Sequence, residues 1–105
     1  MLWHIVRFTF PAEVDDNDRR ALEADLAGLE AQIAEVRYLS VGRDVDEPAV
    51  TGLVTAFDDE QALVIYRDHP DHQPVVARAR ELCERIDRLD IVADAPPVEA
   101  FRSSR

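Results

Sequence analysis

From Leu2 to Phe10 the chain reads as a strand with apolar residues on both of its faces. Its β-branched and aromatic residues favour extended backbone, and Pro11 ends the run. Alternation puts His4, Val6, Phe8 and Phe10 on one face, and Trp3, Ile5, Arg7 and Thr9 on the other. The second face is only half polar, and a strand of this kind is covered on both sides. A single domain of 105 residues leaves much of its surface exposed, so covering the second face with a partner would stabilise it.

The rest of the chain supplies the other elements. Val14-Asp15-Asp16-Asn17-Asp18 marks a helix start, because carboxylates cap free N–H groups and suit the positive end of the helix dipole. Leu22, Leu26, Leu29 and Ile33 follow at offsets of four, three and four, which makes one apolar stripe. Gly28 weakens that helix slightly. A second strand is expected from Val36 to Arg43, an acidic turn from Asp44 to Pro48, and a third strand from Ala49 to Phe57. Asp58 is expected to cap a short helix with Gln61 in a capping box, and to leave Ala62, Leu63 and Tyr66 on its inner side. Pro70 interrupts that helix at His69, and Pro70 or Pro74 fits the first turn of a new one. This last helix is expected to point Val75, Val76, Ala79, Leu82, Cys83 and Ile86 inward. Arg80–Glu84 and Glu81–Arg85 would pair on its outer side. A final strand is expected from Arg88 to Ala93, so residues 1–94 form the domain. Residues 95–105, with two prolines and a polar end, are expected to be a C-terminal arm or flexible tail.

The order is strand, helix, strand, strand, helices, strand. That is an α+β, ferredoxin-like split βαβ arrangement, with one four-stranded antiparallel sheet covered by helices on one face. The other face would show Trp3, Ile5, Val50, Val54 and Ala56 to water. An apolar patch of that kind marks an interface. A two-fold homodimer that stacks the two sheets would bury it.

Charge excludes some partners. The chain carries 22 acidic and 12 basic residues, a net charge of −10, and nucleic acid and anionic membrane repel such a surface. Arg19 and Arg20 are adjacent, but Asp15, Asp16 and Asp18 surround them. Cys83 is the single cysteine, so no intrachain disulfide can form, which fits a cytoplasmic protein. The first residues lack the basic start and long apolar stretch of a signal peptide. No apolar run approaches the ~20 residues that span a bilayer.

Several segments carry a resemblance. Trp3-His4-Ile5-Val6-Arg7-Phe8-Thr9-Phe10, Gly42-Arg43 and Asp90-Ile91-Val92-Ala93-Asp94 are joined by the more specific Tyr66-Arg67-Asp68-His69-Pro70-Asp71-His72. Together they resemble the stress-responsive dimeric A/B barrel family, whose Tyr-x-x-His-Pro-x-His segment the last of them matches. The resemblance spans about residues 2 to 94 and implies a ferredoxin-like protomer in a dimeric α+β barrel. Family members include plant stress proteins, bacterial proteins of unknown role and a few polyketide cyclases.

In the cyclases a histidine and a tyrosine of that segment carry the chemistry, which by position implies His72 and Tyr66 here. Ring closure by aldol condensation needs a base beside a carbonyl, and histidine titrates near neutrality. The enolate needs a donor, which a phenol supplies. His4, on the helix-facing side of the first strand, could orient or share a proton with the pair. A small organic, partly apolar ligand would then lie between sheet and helices, against His69, Val6, Phe8 and Leu53. No cofactor is required and no metal is expected, because a helix break separates His69 from His72. One departure bears on the substrate: the third strand has Thr51 where the plant cyclases, as aligned, have a further histidine, and Gly52 and Ala56 keep that strand small.

Two other functions fit the same residues. A non-enzymatic stress or interaction protein would use His69 as a helix cap, Tyr66 as a packed aromatic and His4 as a core histidine. A sealed interior would favour it, and an open cavity where His4, Tyr66 and His72 converge would favour an enzyme. A cofactor-free monooxygenase is the third, since such enzymes share a related dimeric barrel. Cys83, on the apolar side of its helix, is expected to be a structural thiol.

Overall fold

Leu2–Thr9 forms the first strand, β1, in a computed structural model that describes residues 1–94. There follow α1 (Asp16–Gln32), β2 (Tyr38–Arg43), β3 (Val50–Phe57), α2 (Glu60–Asp68), α3 (Gln73–Leu82) and β4 (Arg85–Val92). The strands lie in the order β2-β3-β1-β4 with every pair antiparallel, which is the ferredoxin-like arrangement. The segment beyond residue 94, expected to be an arm or tail, lies outside the described residues.

Period two decides which face each strand residue takes. Leu2, Val6 and Phe8 point toward the helices and join Leu22, Leu26, Leu29 and Ile33 of the α1 stripe in one core. Asp15 caps α1, its carboxylate accepting from the Asn17 N–H at 2.7 Å. Gly28 lies mid-helix, where an added Cβ would meet only the end of Gln32, at 3.8 Å. Gly28→Ala is therefore expected to stabilise the fold by about 1 kcal/mol, through helix propensity and a less free unfolded chain. Thermal or urea unfolding measures it, and a loss of stability would contradict the packing.

Three expectations need correcting. Asp59, not Asp58, caps α2 and accepts from the Ala62 N–H at 2.9 Å. The Asp58 carboxylate is taken by a two-pronged contact from Arg37, at 2.8 and 3.1 Å, so it cannot turn to the helix. Helix α3 ends at Leu82, earlier than its apolar spacing implied. Cys83 is already extended and Glu84 N–H bonds Thr9 O at 3.0 Å. Cross-strand pairing with β1 claims Arg85 and Ile86, so β4 begins before Arg88. The Arg80–Glu84 and Glu81–Arg85 pairs consequently do not form. Arg78 instead meets Glu81 at 3.0 Å and Arg85 meets Asp87 at 2.7 Å.

The third correction concerns the outer sheet face. Trp3, Val50 and Ala56 are buried rather than open. Register brings Trp3 over Ala56 and against Tyr38, whose ring it meets edge-on at 6.1 Å. The apolar residues open on that face are Leu89 and Ile91 of β4, 57% and 41% exposed, beside half-buried Ile5 and Val54. No helix of the described residues is long and apolar enough to cross a membrane.

Candidate functional site

The helices pack over β1, β2 and β3, and β4 is left almost wholly exposed. A cavity of about 460 Å3 opens in the step between β4 and the α2–α3 layer. Val6, Phe8 and Leu53 form its apolar floor, and His4, Tyr66 and His72 line it with them. Of the candidate catalytic and ligand-binding residues, only His69 stands apart. Its ring nitrogen accepts a hydrogen bond from the Asp71 N–H at 3.0 Å, so it closes the turn between α2 and α3. His69 itself is extended, as the following proline requires.

The break at His69-Pro70 returns the chain sharply enough to lay His72 on Tyr66, with ring centroids 4.3 Å apart. His72 Nδ1 lies 3.0 Å from the Arg67 carbonyl, which also accepts from Gln73 Nε2 at 2.9 Å. A carbonyl only accepts, so Nδ1 carries the proton and the lone pair of neutral His72 is on Nε2. Burial holds the His72 imidazole below its ordinary pKa. The Arg67 carbonyl works against that shift, and nearby His4 and His69 add to it.

Tyr66 is buried against Phe57, ring centroids 4.9 Å apart. Burial pushes its phenol up to about 12, so the hydroxyl keeps its proton. That hydroxyl has no hydrogen-bond partner among the described residues. A buried donor without a partner is costly.

His4 completes the group. Its ring meets Tyr66 edge-on at 6.2 Å, and its Nδ1 is held by the Asp90 carboxylate. Asp90 was not singled out in the sequence. It is the cross-strand partner of His4, which only the β1–β4 register reveals. Cys83 also lines the cavity, but burial raises its thiol to about 11 and leaves it a poor nucleophile. Among the described residues no group of three or more ligand-type side chains is placed to hold a metal.

Thr51 lies away from the cavity. It is fully buried, and its hydroxyl accepts from Arg19 Nη2 at 3.0 Å and donates to Glu23 at 2.7 Å. Arg19 also donates to the Pro48 carbonyl at 2.6 Å and covers the Phe10 ring at 4.7 Å. This arginine ties α1 to β3.

His72 gives a direct pH readout. A neutral ring held below 6.5 takes up fewer protons than the same ring in the unfolded chain. Its contribution to stability is present above pH 6.5 and is lost as pH falls from there through the folded value. The His72 ring proton signal is expected to titrate with a midpoint below 6.5, whereas a midpoint at or above that value would contradict the burial.

A family model described as Stress responsive A/B Barrel Domain matches residues 2–93. No curated protein matches the chain. Among solved structures, a dimeric ferredoxin-like protein of unknown function from Thermobifida fusca shares 22% identity at a TM-score of 0.78, over 88% of this chain and 90% of that one. The hydroxynitrile lyase of Passiflora edulis shares 15% identity at a TM-score of 0.81, over 90% and 94%. SnoaB, a cofactor-independent oxygenase from Streptomyces nogalater, shares 16% identity at a TM-score of 0.76, over 90% and 94%. At these identities the likeness is one of fold.

Proposed function

The chain belongs to the stress-responsive A/B barrel domain family, and from that premise we propose that it is a homodimeric, cofactor-free acid–base enzyme acting on a small carbonyl compound. The observation that carries this reading is the contact between the rings of His72, whose Nε2 is left without a proton when the ring is neutral, and Tyr66, whose hydroxyl has no partner among the described residues. His72 Nε2 takes a proton from the carbon next to a carbonyl. The C–H electron pair passes into the enolate, whose oxygen receives a hydrogen bond from Tyr66. In a cyclisation the enolate carbon then attacks a second carbonyl of the same molecule and forms the C–C bond. The new alkoxide recovers the proton from the His72 imidazolium. Asp90 and His4 act behind this pair by fixing the ring beside Tyr66.

The open cavity favours this reading over a purely structural role, since a sealed interior would leave Tyr66 and His72 no ligand to meet. A dimer through the outer sheet face accords with Leu89, Ile91, Ile5 and Val54 on that surface. It also accords with the dimeric fold neighbour described above. The proposed compartment is the cytoplasm, where the lone Cys83 would stay reduced.

The test is hydrogen exchange into phenylacetone in heavy water, followed by proton NMR. Faster loss of the signals next to the carbonyl than in buffer is the expected result. No acceleration at any pH between about 7 and 9, above the ordinary pKa of imidazole and below that of phenol, would overturn the reading. Oxygen uptake during turnover of a phenolic compound would point to oxygenase chemistry instead.

A further inference from the structure

The mouth of the cavity is basic in a chain that is otherwise strongly acidic. Four of the 12 basic residues line it: Arg67 at the end of α2, Arg80 on α3, and Arg85 and Arg88 on β4. Arg88 stands opposite Val6 in the β1–β4 register, so it projects from the same sheet face as His4 and Asp90. Arg85 is paired with Asp87. Arg67, Arg80 and Arg88 make no ion pair among the described residues, whereas Arg7, Arg19, Arg20, Arg37, Arg43 and Arg78 each do. Two carboxylates share the lining, and one of them, Asp90, is already bound to His4. Glu84 is the other. The cavity therefore has an apolar floor, an acid–base pair at depth and an excess of unpaired guanidinium groups at its rim.

Arginine is always charged and presents a fork of donors that fits a carboxylate. Three such groups without a carboxylate partner among the described residues are available to an anion from outside. We propose that the ligand of this cavity is an amphipathic oxo-carboxylate: an apolar body on the floor, a carbonyl at Tyr66, and a carboxylate held at the rim by Arg67, Arg80 and Arg88. This rests on the acid–base reading of the cavity and adds its substrate class. The same rim would draw anions toward the mouth and turn away cations, against the overall field of the protein.

The experiment compares phenylacetate with phenylacetamide, which share shape and differ in charge. Binding is followed on the His72 ring signal by NMR at low salt. Phenylacetate is expected to bind about tenfold more tightly than the amide, as a charge-assisted contact would give. In the double variant Arg67→Gln/Arg88→Gln that ratio should fall to about one, with amide binding unchanged. Arg78→Gln, which alters an arginine outside the cavity, should keep the wild-type ratio. Equal binding of the two probes to the wild type overturns the anion preference while leaving the cavity as a binding site. A preference that survives the double variant overturns the assignment to these arginines. Failure of both probes to move the His72 signal overturns the cavity reading itself, and the anion preference with it.

Discussion

His72→Ala is expected to lower the protein-catalysed exchange of phenylacetone by roughly a hundredfold to ten-thousandfold, the range for loss of a positioned general base. Tyr66→Phe keeps the base and removes only the donor to the enolate oxygen. It is expected to cost about a hundredfold to a thousandfold. The two losses should not add, since each group acts on the same transition state. Neither change should unfold the protein. Tyr66→Phe deletes a hydroxyl that has no partner among the described residues, so the variant should be at least as stable as the parent. His72 is half-buried and its ring bonds one carbonyl that Gln73 also serves. Loss of turnover with unchanged folding would separate a chemical role from a packing role. If both variants exchange the ketone as fast as the parent, His72 and Tyr66 are core residues and nothing more.

The second large effect concerns assembly. Val54→Asp puts a carboxylate at the centre of the outer sheet face, between Ile5 and Ser40 of the neighbouring strands. An unpaired charge trapped between two sheets costs several kcal/mol, so the dissociation constant of the dimer should rise by about a hundredfold or more. Val54 is partly buried in the protomer, so this change alone could also disturb folding. Leu89→Asp resolves the point, because Leu89 is 57% exposed in the single chain and tolerates a charge there. Sedimentation of Leu89→Asp is expected to give a folded monomer. A folded, unaltered assembly in both variants would place the contact elsewhere on the molecule.

The sequence revealed most of the fold because short-range patterns govern it. Alternation along Leu2–Phe10 assigned both faces of β1, and the α1 stripe assigned the core side of the longest helix. Tyr66 and His72 were picked out by the resemblance of their segment to the family motif, whereas the stacking of their rings follows from the bend at His69-Pro70 and shows only in the structure. What escaped depends on register between distant segments. Asp90 meets His4 only through the β1–β4 pairing, and the same pairing shortened α3. The contacts of Arg19 with Thr51, Pro48 and Phe10 likewise join segments far apart in the chain, and no local pattern announces them. The basic rim was invisible for a related reason. Its arginines come from a helix end, a second helix and an edge strand, so no run of the chain displays them together.

The position of a bound carbonyl tests the central claim most directly. A crystal structure of the protein with phenylacetone is expected to place the ketone oxygen about 2.6–3.2 Å from Tyr66 Oη, with the adjacent carbon facing His72 Nε2. A ketone seated on the outer sheet face, or one in the cavity with its oxygen turned away from Tyr66, would contradict the account.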